Sequence, residues 1–208
     1  MGTVYKKVSN YIQGNFPGEL VLEIGSDRWE GSSQYFAEMA HNMGCKFITV
    51  DLDPEAIERA KENSGEFGAN ADFFNAEAVK WCKEVLPTYN TKVKVLYLDN
   101  FDWDWDVNII DHEMIEPQRA WYKTQGITMS NQNCQVSHFM QMQTILPYMS
   151  DECIVCIDDT YLHNDVFIGK GGPIVPYLLC NGFDLLLYDN KDSGVGVILG
   201  RNIKNNTV

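Results

Sequence analysis

Short apolar runs suited to strands alternate with amphipathic runs suited to helices along almost the whole of this 208-residue chain. That order points to an α/β fold, a mostly parallel twisted sheet with helices on both faces. The run Leu20-Val21-Leu22 with Ile24 suits a strand buried on both sides. Ser32 or Ser33 is placed to cap the next helix, which carries Tyr35, Phe36, Met39 and Met43 at helical spacing and has Gly44 to end it. Lys46 to Asp51 reads as the second strand. Asp53-Pro54 then supplies an N-cap and a first-position proline for a helix through about Asn63, stopping near Gly65.

A short strand from Ala71 to Asn75 and a helix from about Glu77 to Leu86 lead to Val93–Asp99, which reads as the central strand. Between Asn100 and Asn133 the pattern fails. That segment is rich in Trp, Asp, Asn and Gln, and reads as a cap or substrate insertion at about 100–133 within a single domain spanning 1–208. A helix from about Gln135 to Met149 follows, with Phe139, Met142, Leu146 and Met149 along one face, and then a strand from Cys153 to Asp158. GGPIVPYLLCNG reads as a short helix ended by Asn181-Gly182. FDLLLYDN and SGVGVILG read as a C-terminal antiparallel hairpin around a turn from Asp189 to Gly194.

Composition narrows the partners. Lys plus Arg number 16 against 29 Asp plus Glu, a formal charge of −13 that repels phosphate backbones and anionic membranes. Nucleic acid and membrane partners are therefore not expected. Without an apolar run long enough to span a bilayer and without a leader pattern, the chain reads as cytoplasmic. A homo-oligomer is left open. The six cysteines should be reduced thiols. Cys153 and Cys156 have C-x-x-C spacing, but on a strand residues three apart point to opposite faces, which argues against a zinc or redox site.

In an open α/β sheet, ligands bind beyond the carboxyl ends of the strands. After the first strand comes Glu23 to Ser33, a glycine-containing turn running into a helix start. There a ligand can approach the backbone closely and meet free N–H donors. Asp51 ends the second strand, where an acidic group usually accepts ribose hydroxyls. Gly25 and Gly31 do not make a G-x-G-x-x-G fingerprint, so a nucleoside without a pyrophosphate fits better than a nicotinamide or flavin cofactor. Asp99 ends the fourth strand and Asp158-Asp159 the fifth, bringing three carboxylates to one rim. A bound hard cation or a raised pKa on one member would relieve their repulsion.

The segments VLEIGSDRWEGSSQYFAEMA, FITVDLDP, YLDNFDWDW and IVCIDDTY, with the terminal hairpin, together resemble the class I S-adenosylmethionine-dependent methyltransferases. Within that superfamily they are most similar to the small, metal-dependent O-methyltransferases acting on sugars or natural products. The resemblance implies a Rossmann-like fold and methyl transfer from S-adenosylmethionine to a hydroxyl of a small molecule or sugar, assisted by Mg²⁺ or another divalent cation. It implies that Glu23, Gly25, Ser26 and Gly31, with Ser32 and Ser33, surround the methionine part of the cofactor. Asp51 and Leu52 would meet the ribose, and Asn75, Ala76 and Glu77 the adenine, although Glu77 reads equally as a helix-start carboxylate. Asp99 would serve both cofactor and metal, with Asp158 and Asp159 completing the metal ligands.

For the base, the resemblance points to the place of Asp102. His138 offers a second candidate if it reaches inward; a surface or capping role is the plainer reading. Trp103, Trp105, Trp121 and Tyr122 could wall an acceptor pocket or anchor the insertion. Asp102, Asp104 and Asp106 alternate, but without the glycine and glutamate of a calcium loop. Lys170-Gly171-Gly172 suits either an anion contact or a flexible turn. The alternative to an enzyme is a non-catalytic binding or scaffold module on the same fold.

Overall fold

The apolar runs pair in parallel, and their pairing sets the position of everything else. In the computed structural model, which describes residues 3–26, 31–104, 112–189 and 195–203, strand β1 (Leu20–Ile24) lies between β2 (Lys46–Asp51) and β4 (Val93–Leu98). Strand β3 (Ala71–Asn75) lies beyond β2, and β5 (Met149–Asp158) beyond β4, all parallel. Every residue of β1 and β4 is buried, as expected where both faces of a sheet are covered. Leu22, Ile24 and Ile48 pack one way against Trp81 and Met142. Val21, Phe47 and Tyr97 pack the other way against Phe36.

The helices follow their end signals. Helix α1 (Ser32–Met43) stops at Gly44, whose left-handed backbone returns its N–H to the last turn. Helix α2 (Pro54–Ser64) opens on Asp53, whose carboxylate accepts the Glu55 N–H. Helix α3 (Ala78–Glu84) opens on Glu77, which caps it through the Val79 and Lys80 N–H groups.

The terminal hairpin is present, with β8 (Asp184–Asp189) antiparallel to β9 (Gly196–Arg201). Its later strand is the inner one: β9 inserts antiparallel between β5 and β8, giving the order β3-β2-β1-β4-β5-β9-β8. The turn residues 190–194 lie outside the described residues.

Three expectations need correction. The segment at about 100–133 contains helix α4 (His112–Thr124), hidden from periodicity by Pro117 in its interior and by a polar surface. Helix α5 (Asn131–Ile145) starts earlier than expected, on Ser130, which accepts the Asn133 N–H. It also ends earlier, because Pro147 turns the chain through a 3-10 segment, and β5 then begins at Met149 rather than Cys153. A further hairpin, β6 (Thr160–His163) with β7 (Val166–Gly169), separates β5 from helix α6 (Ile174–Cys180). Its turn residues Asn164 and Asp165 both have positive φ, the conformation a two-residue hairpin turn requires.

All six cysteines carry free thiols, and five of them are buried. Cys153 packs into one apolar cluster and Cys156 into the other, on opposite faces of β5. Burial pushes the Cys82 thiol up to about 12 and Cys45 to about 11, and Cys180 alone of the six is exposed. Among the described residues, no helix is long and apolar enough to cross a membrane.

Candidate functional site

The chain turns one way from β1 to β2 and β3 and the other way from β4 to β5, so a crevice opens at the carboxyl ends of β1 and β4. Gly25 sits at its floor with φ +96°. A β-carbon there would overlap the Asn100 backbone nitrogen and the Asp99 carbonyl carbon, so only glycine lets the two strand ends close on each other.

Asp51 is fixed at the adjoining edge by two backbone donors. The Ser26 N–H reaches its Oδ2 at 2.8 Å and the Asp53 N–H its Oδ1 at 2.7 Å. The Asn75 side-chain amide and the Ala76 N–H donate to the Asp51 carbonyl, and the Asn75 amide also reaches the Leu52 carbonyl, tying the ends of β2 and β3 together.

Glu23 takes a different role from the one expected. It is 0% exposed, and its Oε1 accepts the Ser32 hydroxyl at 2.7 Å while its Oε2 accepts Ser33 at 2.6 Å and Thr49 at 2.7 Å. Thr49 in turn bonds Ser26 Oγ, so one buried carboxylate links β1, β2, the glycine turn and the start of α1. Ser32 and Ser33 are also buried and are not caps. The N-cap position falls to Gly31, with φ +82°. The Glu23, Ser32 and Ser33 side chains thus hold the glycine loop from behind. Asp27, Arg28, Trp29 and Glu30 lie outside the described residues.

A cleft of about 630 Å³ extends from Asp51, Leu52 and Glu77 past Asn100 to Trp121 of α4 and Met140 of α5. That volume lies within the usual range for a small-molecule site. Asn100 presents a buried Oδ1 with no hydrogen-bond partner. Tyr122 also lines the cleft, stacks on Phe101 at 4.9 Å and accepts the Asp102 N–H at 2.9 Å. The aromatic pair thus both walls the cleft and anchors the segment after β4, which Arg119 and Asn131 secure at Asp104. Trp105, Asp106 and the His112 side chain lie outside the described residues.

The three strand-end carboxylates converge, with oxygens of Asp99, Asp158 and Asp159 all within 4.8 Å of one another. Lys170 stands among them, so of the two readings open for Lys170-Gly171-Gly172 the anion contact is the one observed, with these carboxylates as the anions. Its Nζ lies 2.6 Å from Asp99 Oδ1 and 3.1 Å from Asp159 Oδ2, and the residue is 2% exposed. Burial disfavours its charge, but Asp99 and Asp159 outweigh that effect and hold its pKa well above the usual lysine range. A signal was available. With Asn164-Asp165 read as a two-residue turn, strand pairing places Thr160 opposite Gly169 and hence Lys170 beside Asp159.

His138 is neither on the surface nor a cap. It is 0% exposed inside α5, and its Nδ1 lies 2.8 Å from the Cys134 carbonyl, an acceptor only, so Nδ1 carries the proton. Burial, reinforced by Lys170, lowers its pKa from 6.5 to about 3. A side chain this enclosed and this weakly basic does not fit the role of base, which corrects that expectation.

Because the folded pKa lies below the unfolded one, the unfolded state binds the extra proton between about pH 6.5 and 3. His138 therefore costs stability as pH falls through that window and nothing above it. Nitrogen NMR at pH 5 should show His138 neutral with the proton on Nδ1, and a cationic ring there would contradict the geometry.

No family model matches the sequence, and no curated protein matches it. The fold is that of the Rossmann-like class I methyltransferases. A protein designated an rRNA methylase from Clostridium thermocellum superposes with a TM-score of 0.57 at 9% identity, over 96% of each chain. NSun6 from Pyrococcus horikoshii, solved with SFG, gives 0.53 at 11% identity, over 90% of this chain and 48% of that one. An O-methyltransferase family 2 protein from Planctomyces limnophilus, in complex with apigenin, gives 0.53 at 12% identity, over 96% and 57%. With an rRNA methylase among these neighbours, the exclusion of nucleic acid from net charge alone does not stand. Net charge sums the whole surface, whereas an acceptor meets only the mouth of a cleft.

Proposed function

We propose that this chain, read as one methyltransferase-like domain over residues 1–208 with the segment at about 100–133 as its cap, transfers the methyl group of S-adenosylmethionine to a hydroxyl of a small molecule or sugar. The observation that carries this reading is Asp51, held by two backbone N–H groups at the edge of a ligand-sized cleft in this fold.

Leu52, Ala76 and Glu77 would border the nucleoside, and Gly25, Ser26 and Gly31 the methionine part, with Asp99 behind them. The bound cofactor supplies an electrophilic methyl on a sulfonium. The chain's contribution is to align the acceptor oxygen and stabilise the charge that develops. We assign the base to Asp102, whose backbone N–H donates to the cleft residue Tyr122, so that its carboxylate would take the acceptor's proton. The residues at the carboxylate cluster do not fit a resident divalent cation, because the Lys170 ammonium already stands between Asp99 and Asp159.

Calorimetric titration with S-adenosylhomocysteine tests the reading. Wild type should bind, and Asp51→Ala should bind about a hundredfold more weakly or worse, given the strength of hydrogen bonds to a charged acceptor. Absence of binding by wild type sinks the proposal. Binding without transfer to any hydroxylated acceptor points instead to a binding or scaffold module.

A further inference from the structure

We infer that Lys170 is the resident cation of the carboxylate cluster at the ends of β4 and β5, standing in place of a divalent metal, so that the chain's chemistry needs no metal ion. Three oxygens surround its Nζ: Asp99 Oδ1 at 2.6 Å, Asp159 Oδ2 at 3.1 Å and the Asp99 carbonyl at 3.4 Å. An ammonium has three N–H donors and no acceptor, so this environment matches its capacity. Asp99 is further fixed by the Tyr97 hydroxyl at 3.0 Å.

The lysine is delivered there by a built scaffold. The Lys170 N–H donates to the Asp159 carbonyl, which closes the base of the β6–β7 hairpin. Gly169 has φ +89°, and a β-carbon on it would overlap that same carbonyl oxygen, so the strands meet only because the residue is glycine. The Gly171 N–H donates at 2.8 Å to Thr160 Oγ1, which donates to the Asp158 carbonyl at 3.0 Å. With 3% of its side chain exposed, Lys170 is enclosed at the base of this hairpin. A divalent cation bridging the same oxygens would be pressed against a buried like charge, an arrangement that low local dielectric makes severely repulsive.

The inference about the metal rests on this cluster alone, and only its bearing on activity rests on the proposed methyl transfer. The test is a Mn²⁺ titration followed by electron paramagnetic resonance, together with thermal unfolding with and without Mg²⁺, on the full chain. Wild type should bind no Mn²⁺ through Asp159, and Mg²⁺ should not move its unfolding midpoint. Lys170→Ala, which leaves the half-buried carboxylates of Asp99 and Asp159 without their cation, should lower the midpoint by roughly 6 to 20 °C. Mg²⁺ or Mn²⁺ should restore part of that loss, but not in the Lys170→Ala, Asp159→Asn double variant.

A wild-type chain that binds Mn²⁺ and loses that binding on Asp159→Asn overturns the inference. So does a Lys170→Ala chain that keeps its midpoint and gains no Mn²⁺ binding. Should Lys170→Ala fail to fold, the wild-type titration decides alone. A wild type silent to both Mn²⁺ and S-adenosylhomocysteine would remove the proposed function and leave this inference standing.

Discussion

Gly25→Ala is expected to abolish S-adenosylhomocysteine binding and to lower the unfolding free energy by about 2–5 kcal/mol. Two costs combine. At φ +96° an L side chain is strained by about 1–2 kcal/mol. The new β-carbon also meets backbone atoms of Asp99 and Asn100 rather than a flexible side-chain tip, so relief requires the ends of β1 and β4 to part. That parting moves the Ser26 N–H away from Asp51 and moves Asn100 in the cleft wall. Gly182→Ala is the control. Its φ is +80°, but a β-carbon there meets nothing within 4 Å, so strain of about 1–2 kcal/mol should be its whole effect. Urea denaturation measures the stabilities and calorimetry the binding; a Gly25→Ala chain that binds normally would show that the strand ends tolerate separation.

Glu23→Ala should be comparably damaging, by about 3–5 kcal/mol, because it strands buried hydroxyls that now share one carboxylate. Ser32, Ser33 and Thr49 would each lose an acceptor in a region closed to bulk solvent. Thr49→Val removes one donor and leaves the acceptor in place, so a smaller loss, on the order of 1.5–3 kcal/mol, is expected. A double-mutant cycle between the two positions should give a coupling well above zero, as for residues in one network. Strictly additive effects would mean that the clamp is not a unit. Ligand binding should fall with both, since the clamp holds the start of α1 against the glycine turn.

Much of this architecture was legible because the signals were local. The strand from Leu20, the Asp53-Pro54 helix start and the Gly44 stop all follow from backbone preferences that neighbours in sequence decide. Helix α4 was hidden by an interior proline. The inner position of β9 follows from pairing across the sheet, which no local pattern encodes. The site divides in the same way. Asp51 was readable from its place at a strand end, and the convergence of Asp99, Asp158 and Asp159 from topology. The occupant of that cluster was not, because Lys170 arrives from a hairpin whose register depends on two turn residues. Glu23 and His138 were named for chemistry, yet burial makes one a clamp and leaves the other enclosed, and burial is a property of the assembled core.

The inner position of β9 also bears on how the chain assembles. Strand β8 is made before β9 but pairs in the sheet only with it, so the β5 edge stays open until the last strand arrives. The 3-10 segment Val4–Asn10 packs on β5 and β9, and Val4 lies so close over Gly196 that a β-carbon there would meet its Cγ1 at 2.5 Å. An early segment therefore docks only after a late one is in place. Contacts of such long sequence separation slow the search for the native state and make its loss concerted. Refolding should be slow, and an exposed β5 edge is the place where a chain stalled before that step would pair with another copy.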